Sequence, residues 1–106
     1  MEISVGGETV AESRRPVLLD ETGSPTRYYL PREDVRTDVL VPSSRTSKCP
    51  FKGEASYWSV KVDGKVYEDV AWSYEHPIPG AGQIARLLCF YPERVDMAVS
   101  EEVVRR

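Results

Sequence analysis

The stretch Ala55–Tyr67 (ASYWSVKVDGKVY) decides the fold, because two runs of alternating apolar and polar residues meet in it at Asp63-Gly64. Asp-Gly readily adopts the positive φ angles of a two-residue type I′ turn, which joins antiparallel strands. Alternation gives the strand before the turn two faces, one with Trp58, Val60 and Val62 and the other with Tyr57 and Lys61. The stretch therefore predicts a β-hairpin that carries an aromatic residue on each face.

Short apolar runs separated by turn residues continue in both directions from this hairpin. Gly6-Gly7 lies between two such runs, and Gly23-Ser24-Pro25 lies between two more. The eight prolines argue against long helices. Only Pro31–Val35 and Ala81–Ile84 have the composition of short helical turns. We therefore predict an all-β fold of seven or eight short strands with at most two helical turns.

Two further predicted strands carry aromatic residues. In the first, alternation places Val70, Trp72 and Tyr74 on one face. In the second, it places Leu88 and Phe90 opposite Leu87, Cys89 and Tyr91. Because three neighbouring strands each contribute aromatic rings, we expect an aromatic cluster between two sheets.

The composition is that of one soluble globular domain covering residues 1–106, with a charged tail, Ser100–Arg106, that we expect to fray. The net charge of −3 argues against a nucleic-acid partner, which would require clustered basic residues. No apolar run approaches the roughly 18 residues of a membrane span, and the first residues do not resemble a signal peptide. We therefore expect a cytoplasmic protein without a membrane partner.

The sequence predicts neither a metal site nor another cofactor. Its two cysteines, Cys49 and Cys89, cannot form a four-cysteine zinc site, and no acidic cluster accompanies His76. Nucleotidyl transfer needs two carboxylates at positions i and i+2 on one strand face, where both can reach the metal pair. Asp34 is followed at that spacing by Arg36, so a nucleotidyltransferase is not supported.

Cys49 and Lys52 form the candidate catalytic pair. A cation near a thiol favours the reactive thiolate. Nucleophilic catalysis also needs a positioned base, and the only histidine, His76, lies on a separate predicted loop. The plainer interpretation makes Cys49 a buried strand end and Lys52 a surface cation. An enzyme that uses Cys49 as a nucleophile or redox thiol remains an alternative.

Positive charge is concentrated between Arg27 and Lys52. This segment has six basic and three acidic residues, a balance of +3, so the remaining 80 residues carry −6. Such a segment can attract an anionic ligand. The ten aromatic residues are too many for all of them to be buried in so small a core, and exposed rings around a concavity bind flat or cationic ligands.

Several blocks together resemble a family of small bacterial and fungal proteins, domain-of-unknown-function family 427, sometimes labelled nucleotidyltransferase-like. The blocks are Gly6–Ser13, Tyr29–Val35, Cys49–Trp58, Ala71–Pro77 and Phe90–Pro92. The resemblance implies a β-tent, in which two antiparallel sheets are joined at one edge and splayed at the other. It also implies an aromatic pocket formed by Trp58, Trp72 and Tyr74, with Lys52 and Cys49 at its mouth. The paired C-x-x-C knuckles that hold zinc in other β-tents are absent from this sequence.

The favoured hypothesis is a domain that binds a small anionic or cyclic molecule in an aromatic pocket without catalysis. Lys52 or Arg32 would draw in the anionic group. A structural or protein-interaction module is a third possibility. It could be a homodimer that pairs through an exposed edge strand such as Ile3–Val5.

Overall fold

The structure, a computed structural model, describes residues 1–19, 23, 26–49, 52–80 and 82–99. Within them the chain forms strands and short 3₁₀ turns, so the all-β prediction is confirmed, although nine strands replace the seven or eight expected. The strands are β1 (Glu2–Val5), β2 (Glu8–Glu12), β3 (Val17–Leu19), β4 (Arg27–Leu30), β5 (Leu40–Cys49), β6 (Gly53–Val62), β7 (Lys65–Ser73), β8 (Leu88–Phe90) and β9 (Asp96–Ala98). The 3₁₀ turns are Arg32–Asp34, Thr37–Val39 and Gly82–Ile84.

The strands form two antiparallel sheets. The smaller sheet has the order β2-β1-β9, and the larger has the order β3-β4-β8-β7-β6-β5. Because β1 is the central strand of the smaller sheet, Ile3–Val5 is not the exposed edge that the sequence suggested for a homodimer. Beside β2, Ala11 forms a bridge with Val35, and the N–H of Arg36 donates to the carbonyl of Val10 at 2.8 Å. The segment after β4 therefore ties the two sheets together.

The predicted hairpin is present as β6 and β7. Asp63 and Gly64 have φ angles of 51° and 77°, as a type I′ turn requires, and Val62 pairs with Lys65. The hairpin is not regular along its length, because its register shifts between Trp58 and Val60. The residues of β7 opposite Ser59, Asp69 among them, therefore depart from the regular ladder.

The main core lies between the smaller sheet and one face of the larger sheet, which we call the inner face. Its fully buried members come from both sheets and include Ile3, Val10, Leu30, Val60, Leu88 and Phe90. Val70 also belongs to this core, contrary to the alternation that placed it beside Trp72. The reason is the register shift, since Asp69 has a positive φ of 49° and interrupts the alternation just before Val70.

A second cluster lies on the opposite, outer face of the larger sheet. It consists of Tyr29, Ala55, Tyr57, Trp72, Tyr74, Ile84 and Cys89, with Cys49 and Tyr91 among the residues packed against it. The aromatic residues were expected between the sheets, but the structure divides them between the two faces. They are divided because each antiparallel strand presents alternate residues to opposite faces.

No helix in the described part of the chain is long and apolar enough to cross a membrane. The predicted frayed tail, 100–106, lies outside the described residues, as do positions 24 and 25 of the predicted second turn and position 81 of a predicted helical turn.

The core assignment predicts unequal effects of two truncations to alanine. Leu88 is fully buried in the main core, whereas Val66 is 46% exposed on β7. Leu88→Ala should lower the free energy of unfolding by about 2–5 kcal/mol, because it removes buried methyl groups and leaves a cavity. Val66→Ala should change it by no more than about 0.5 kcal/mol. Urea denaturation measures both changes, and similar losses would contradict this description of the core.

Candidate functional site

Strand β6 is flanked by bulges on both sides. In its pairing with β5, Pro42 opposes Trp58 and Thr46 opposes Ser56, so three residues of β5 lie opposite Tyr57 alone. In its pairing with β7, Tyr67 opposes Val60 and Ala71 opposes Trp58. Three residues of β7 therefore lie opposite Ser59. Bulges bend strands, redirect side chains and occur frequently beside functional sites.

Asp69, in the β7 bulge, connects to three other elements of the structure. Its N–H donates to Oγ of Ser59 at 3.1 Å, and its carbonyl oxygen accepts from Nη1 of Arg94 at 2.7 Å. Its carboxylate oxygen Oδ2 lies 3.8 Å from Nη1 of Arg45. One bulge residue thus positions two arginines from distant parts of the chain.

Three rings form a continuous line on the outer face, which we call the aromatic row: Trp72, Tyr91 and Tyr57. The ring centroids of Trp72 and Tyr91 are 4.4 Å apart. Those of Tyr91 and Tyr57 are 6.5 Å apart, with ring planes only 11° from parallel. Tyr29 meets Trp72 edge-on at 6.3 Å. Such ring pairs add about 0.5–1.5 kcal/mol each beyond their buried area, so the row is a stable platform.

Each ring of the aromatic row lies under one guanidinium group. The Cζ atoms of Arg27, Arg94 and Arg45 lie 5.2, 4.7 and 4.8 Å from the ring centroids of Trp72, Tyr91 and Tyr57, respectively. Arginine stacked on an aromatic face is attracted by the ring quadrupole. Among the ion pairs of the described residues, only Arg45 of these three has a carboxylate partner, Asp69. Within the described residues, three guanidinium groups therefore lie along the row, and one of them has a carboxylate partner.

The hydroxyl of Tyr57 lies 3.0 Å from Oγ of Ser47, and the Tyr91 ring stacks beside the Tyr57 ring. Burial acts to raise the pKa of Tyr57, but its polar interactions with Ser47 and Tyr91 and the charge of Arg45 outweigh burial, so the pKa is lowered. The pKa of Tyr91 is raised to about 12 by burial and by its interaction with Tyr57. The surroundings of Tyr57 therefore favour its ionised form more than those of Tyr91 do.

The structure brings together only some of the residues predicted from the sequence. Trp72 and Tyr74 are both buried in the outer-face cluster. Trp58 is half-buried and packs against the main core on the inner face. The two-residue turn predicts this separation. A hairpin with such a turn pairs even-numbered residues of β6, such as Trp58, with odd-numbered residues of β7, so Trp72 lies on the opposite face of the sheet.

Arg32 accompanies Trp58 in a closed polar network on the inner side. Its Cζ lies 5.4 Å from the Trp58 ring centroid, and its guanidinium pairs with the carboxylate of Glu75. Its Nε donates to the carbonyl of Arg86 at 2.7 Å. Trp58 Nε1 donates to Oγ of the fully buried Ser73 at 2.9 Å, and Ser73 donates to Glu75 at 2.5 Å. These contacts hold the Arg32 guanidinium against the end of the larger sheet.

Cys49 and Lys52 flank the turn that joins β5 to β6. Cys49 is half-buried and packs against the outer-face cluster, while the N–H of Lys52 donates to the Cys49 carbonyl at 3.2 Å. The carbonyl of Lys52 accepts the N–H of Ile78 at 2.9 Å. Gly53, with φ at 118°, permits this packing, since a Cβ there would lie 3.3 Å from the carbonyl oxygen of His76. Lys52 and Gly53 therefore lie beside the loop containing His76.

Cys89 is the second free thiol of the described residues and is almost fully buried. Burial raises its pKa to about 12, against the opposing charges of Arg27 and Lys52. Cys89 pairs with Trp72 in the sheet, so these two cations lie toward the Trp72 end of the aromatic row. No group of three or more His, Cys, Asp or Glu side chains in the described ranges is arranged to hold a metal ion.

Sequence reasoning did not single out Arg27, Arg45, Arg94 or Asp69 as site residues. Arg27 and Arg45 were included only in the basic segment between Arg27 and Lys52. Arg94 lies outside that segment, and its guanidinium donates to the carbonyl oxygen of Asp69 where it lies over the Tyr91 ring. A bulge without glycine or proline has no clear signature in one sequence, which is why Asp69 was missed.

The burial of Cys89 predicts how stability responds to alkaline pH. The pKa of Cys89 is raised from 9.0 to about 12 in the folded protein. The stability that the buried neutral thiol contributes is therefore fully present below pH 9 and is lost as the pH rises through about 12. The free energy of unfolding should fall across this range, and the fall should be smaller in Cys89→Ala. Urea denaturation at a series of pH values measures both slopes. Equal slopes in the two proteins would contradict the assignment.

Comparison with known proteins assigns the chain to a family. No curated protein matches it. The family model described as Domain of unknown function (DUF427) matches residues 1–101, nearly the whole chain. The resemblance inferred from the sequence blocks is therefore confirmed, and the chain belongs to the DUF427 family.

Proposed function

We propose that this domain binds a small molecule with an anionic group and a flat ring at the aromatic row of its outer face, without catalysing a reaction. The observation that carries the proposal is the alignment of three guanidinium groups over the three rings of the row, with one carboxylate among them. A row of cations on a rigid aromatic platform is suited to an anionic partner.

An anionic ligand group is favoured because two arginines of the row have no carboxylate partner among the described residues. Arg27 has no carboxylate partner among the ion pairs of the described residues, and the hydrogen bond of Arg94 to Asp69 uses a neutral carbonyl oxygen. Guanidinium groups bind carboxylates and phosphates through two parallel hydrogen bonds, and these bonds are stronger than those between neutral groups. An oxyanion placed beside either arginine would gain such bonds without displacing a carboxylate partner among the described residues.

The flat ring is favoured by the stacked geometry. A guanidinium lying on an aromatic ring presents its second face to solvent, and a planar ligand can stack on that face. Arg45 and Arg94 are exposed side chains above the nearly parallel rings of Tyr57 and Tyr91. A ligand ring could extend these two stacks without entering the core. The proposed pocket is thus shallow and lies above the aromatic row.

The residues suggested by the sequence take different parts in this proposal. Trp72 belongs to the row, and Tyr74 supports it from the same cluster. Lys52 adds positive charge near the Trp72 end, since its charge acts on Cys89 beside that ring. Cys49 is a packing residue at the edge of the cluster. Trp58 and Arg32 brace the inner side of the sheet, because their polar groups are held in the network with Ser73 and Glu75.

Phenyl phosphate and its neutral counterpart benzyl alcohol provide the test. Phenyl phosphate should quench tryptophan fluorescence and raise the melting temperature, whereas benzyl alcohol should do neither. Arg27→Gln should weaken phenyl phosphate binding by about tenfold, since a charged hydrogen bond contributes about 1.5–3 kcal/mol.

Lys65→Gln is the matched control. Lys65 also lies over a ring, that of Tyr67 at 5.0 Å, but it lies outside the row, so its loss should leave phenyl phosphate binding unchanged. Equal binding of the two probes, or unchanged binding by Arg27→Gln, would overturn the proposal.

A further inference from the structure

A groove of about 380 Å³ lies where the two bulges flank β6. Its lining includes Val41, Ser43, Arg45, Ser59 and Val66, together with two carboxylates, those of Glu68 and Asp69. Ser59 follows Tyr57 by two residues on β6 and Val41 lies opposite it on β5, so the groove opens on the outer face beside the end of the aromatic row. Its volume is within the range of small-molecule sites.

The polar part of the groove offers hydrogen-bond donors. Oγ of Ser59 accepts the N–H of Asp69 at 3.1 Å, and Oγ of Ser43 accepts the N–H of Arg45 at 3.2 Å. Neither hydroxyl donates to another group in the hydrogen bonds of the described residues. Each serine therefore retains a proton with which it can bind an acceptor atom in the groove.

Opposite charges face each other in the same space. Nη1 of Arg45 lies 3.8 Å from Oδ2 of Asp69, which is too far for a direct hydrogen bond. The Asp69 side chain is 21% exposed and that of Arg45 is 54% exposed, so both charges are accessible to a ligand. A ligand with a cation and an anion a few ångströms apart could pair with both.

The apolar part of the groove consists of two valines. Val41 on β5 and Val66 on β7 are 37% and 46% exposed. Val41 opposes Ser59 and Val66 opposes Lys61 in the ladders, which places both valines on the outer face. A ligand side chain that covers these valines would remove their apolar surface from water.

We infer that this groove binds an α-amino acid with an apolar side chain, at a site that adjoins the aromatic row and shares Arg45 with it. The ammonium group pairs with Asp69. The carboxylate pairs with Arg45 and accepts hydrogen bonds from Ser43 and Ser59. The apolar side chain lies against the valines.

L-Leucine is the probe, and two analogues each lack one of its charges: 4-methylpentanoate lacks the ammonium group and 3-methylbutylamine lacks the carboxylate. Titration of ¹⁵N-labelled protein followed by NMR should give saturable shifts of the amide signals of residues 41, 43–45, 59 and 66–69 with L-leucine. Each analogue should bind at least tenfold more weakly, about 1.4 kcal/mol per decade. No saturable shift by about 10 mM, or equal binding of an analogue, would overturn the inference.

Val66→Asp separates this site from the aromatic row. It removes an apolar contact and adds a third negative charge to those of Glu68 and Asp69, so L-leucine affinity should fall at least tenfold while phenyl phosphate still binds beside Arg27 and Arg94. Ile78→Asp makes the same change at a residue that is 38% exposed and does not line the groove, and it should leave L-leucine affinity unchanged. Equal affinity in the two variants, or leucine-induced shifts at the aromatic row instead of the groove, would contradict the inference.

Discussion

Asp69 adopts a left-handed backbone conformation in the middle of β7, and the arrangement of the outer face depends on it. For a residue other than glycine this conformation costs on the order of 1 kcal/mol. The cost is offset by the hydrogen bonds to Ser59 and Arg94 and by the charge of Arg45. The resulting bulge turns Val70 into the main core and aligns two arginines over the tyrosines of the aromatic row.

Both tryptophans of this domain have an arginine stacked on the ring, but the two arginines differ in their other contacts. Each has a guanidinium over its ring, Arg32 over Trp58 and Arg27 over Trp72. Glu75 neutralises Arg32, and Ser73 accepts the indole N–H of Trp58, so the polar groups of that pair are satisfied within the protein. Arg27 has no carboxylate among the described ion pairs, and this difference is why we propose the outer face, and not the inner network, as the ligand site.

Much of the fold could be predicted because local chemistry determines it. Asp63-Gly64 specifies the tight turn, and alternation correctly placed Trp58 with Val60 and Leu88 with Phe90. The candidate site could not be predicted in the same way. It depends on a bulge at residues 68–70, whose sequence does not predict one. It also depends on arginines that come from β4, β5 and the segment after β8. Such long-range contacts depend on register and tertiary packing, which one sequence does not reveal.

The central claim is that the arginines over the aromatic row, and not those of the inner network, receive an anionic ligand. The most direct measurement is NMR of the arginine Nε–H groups during a titration with phenyl phosphate. The account predicts that the signals of Arg27, Arg45 and Arg94 shift together with a single dissociation constant, while that of Arg32 remains in place. Shifts confined to Arg32 and Arg86, or no saturable shift at the three arginines of the row, would contradict it.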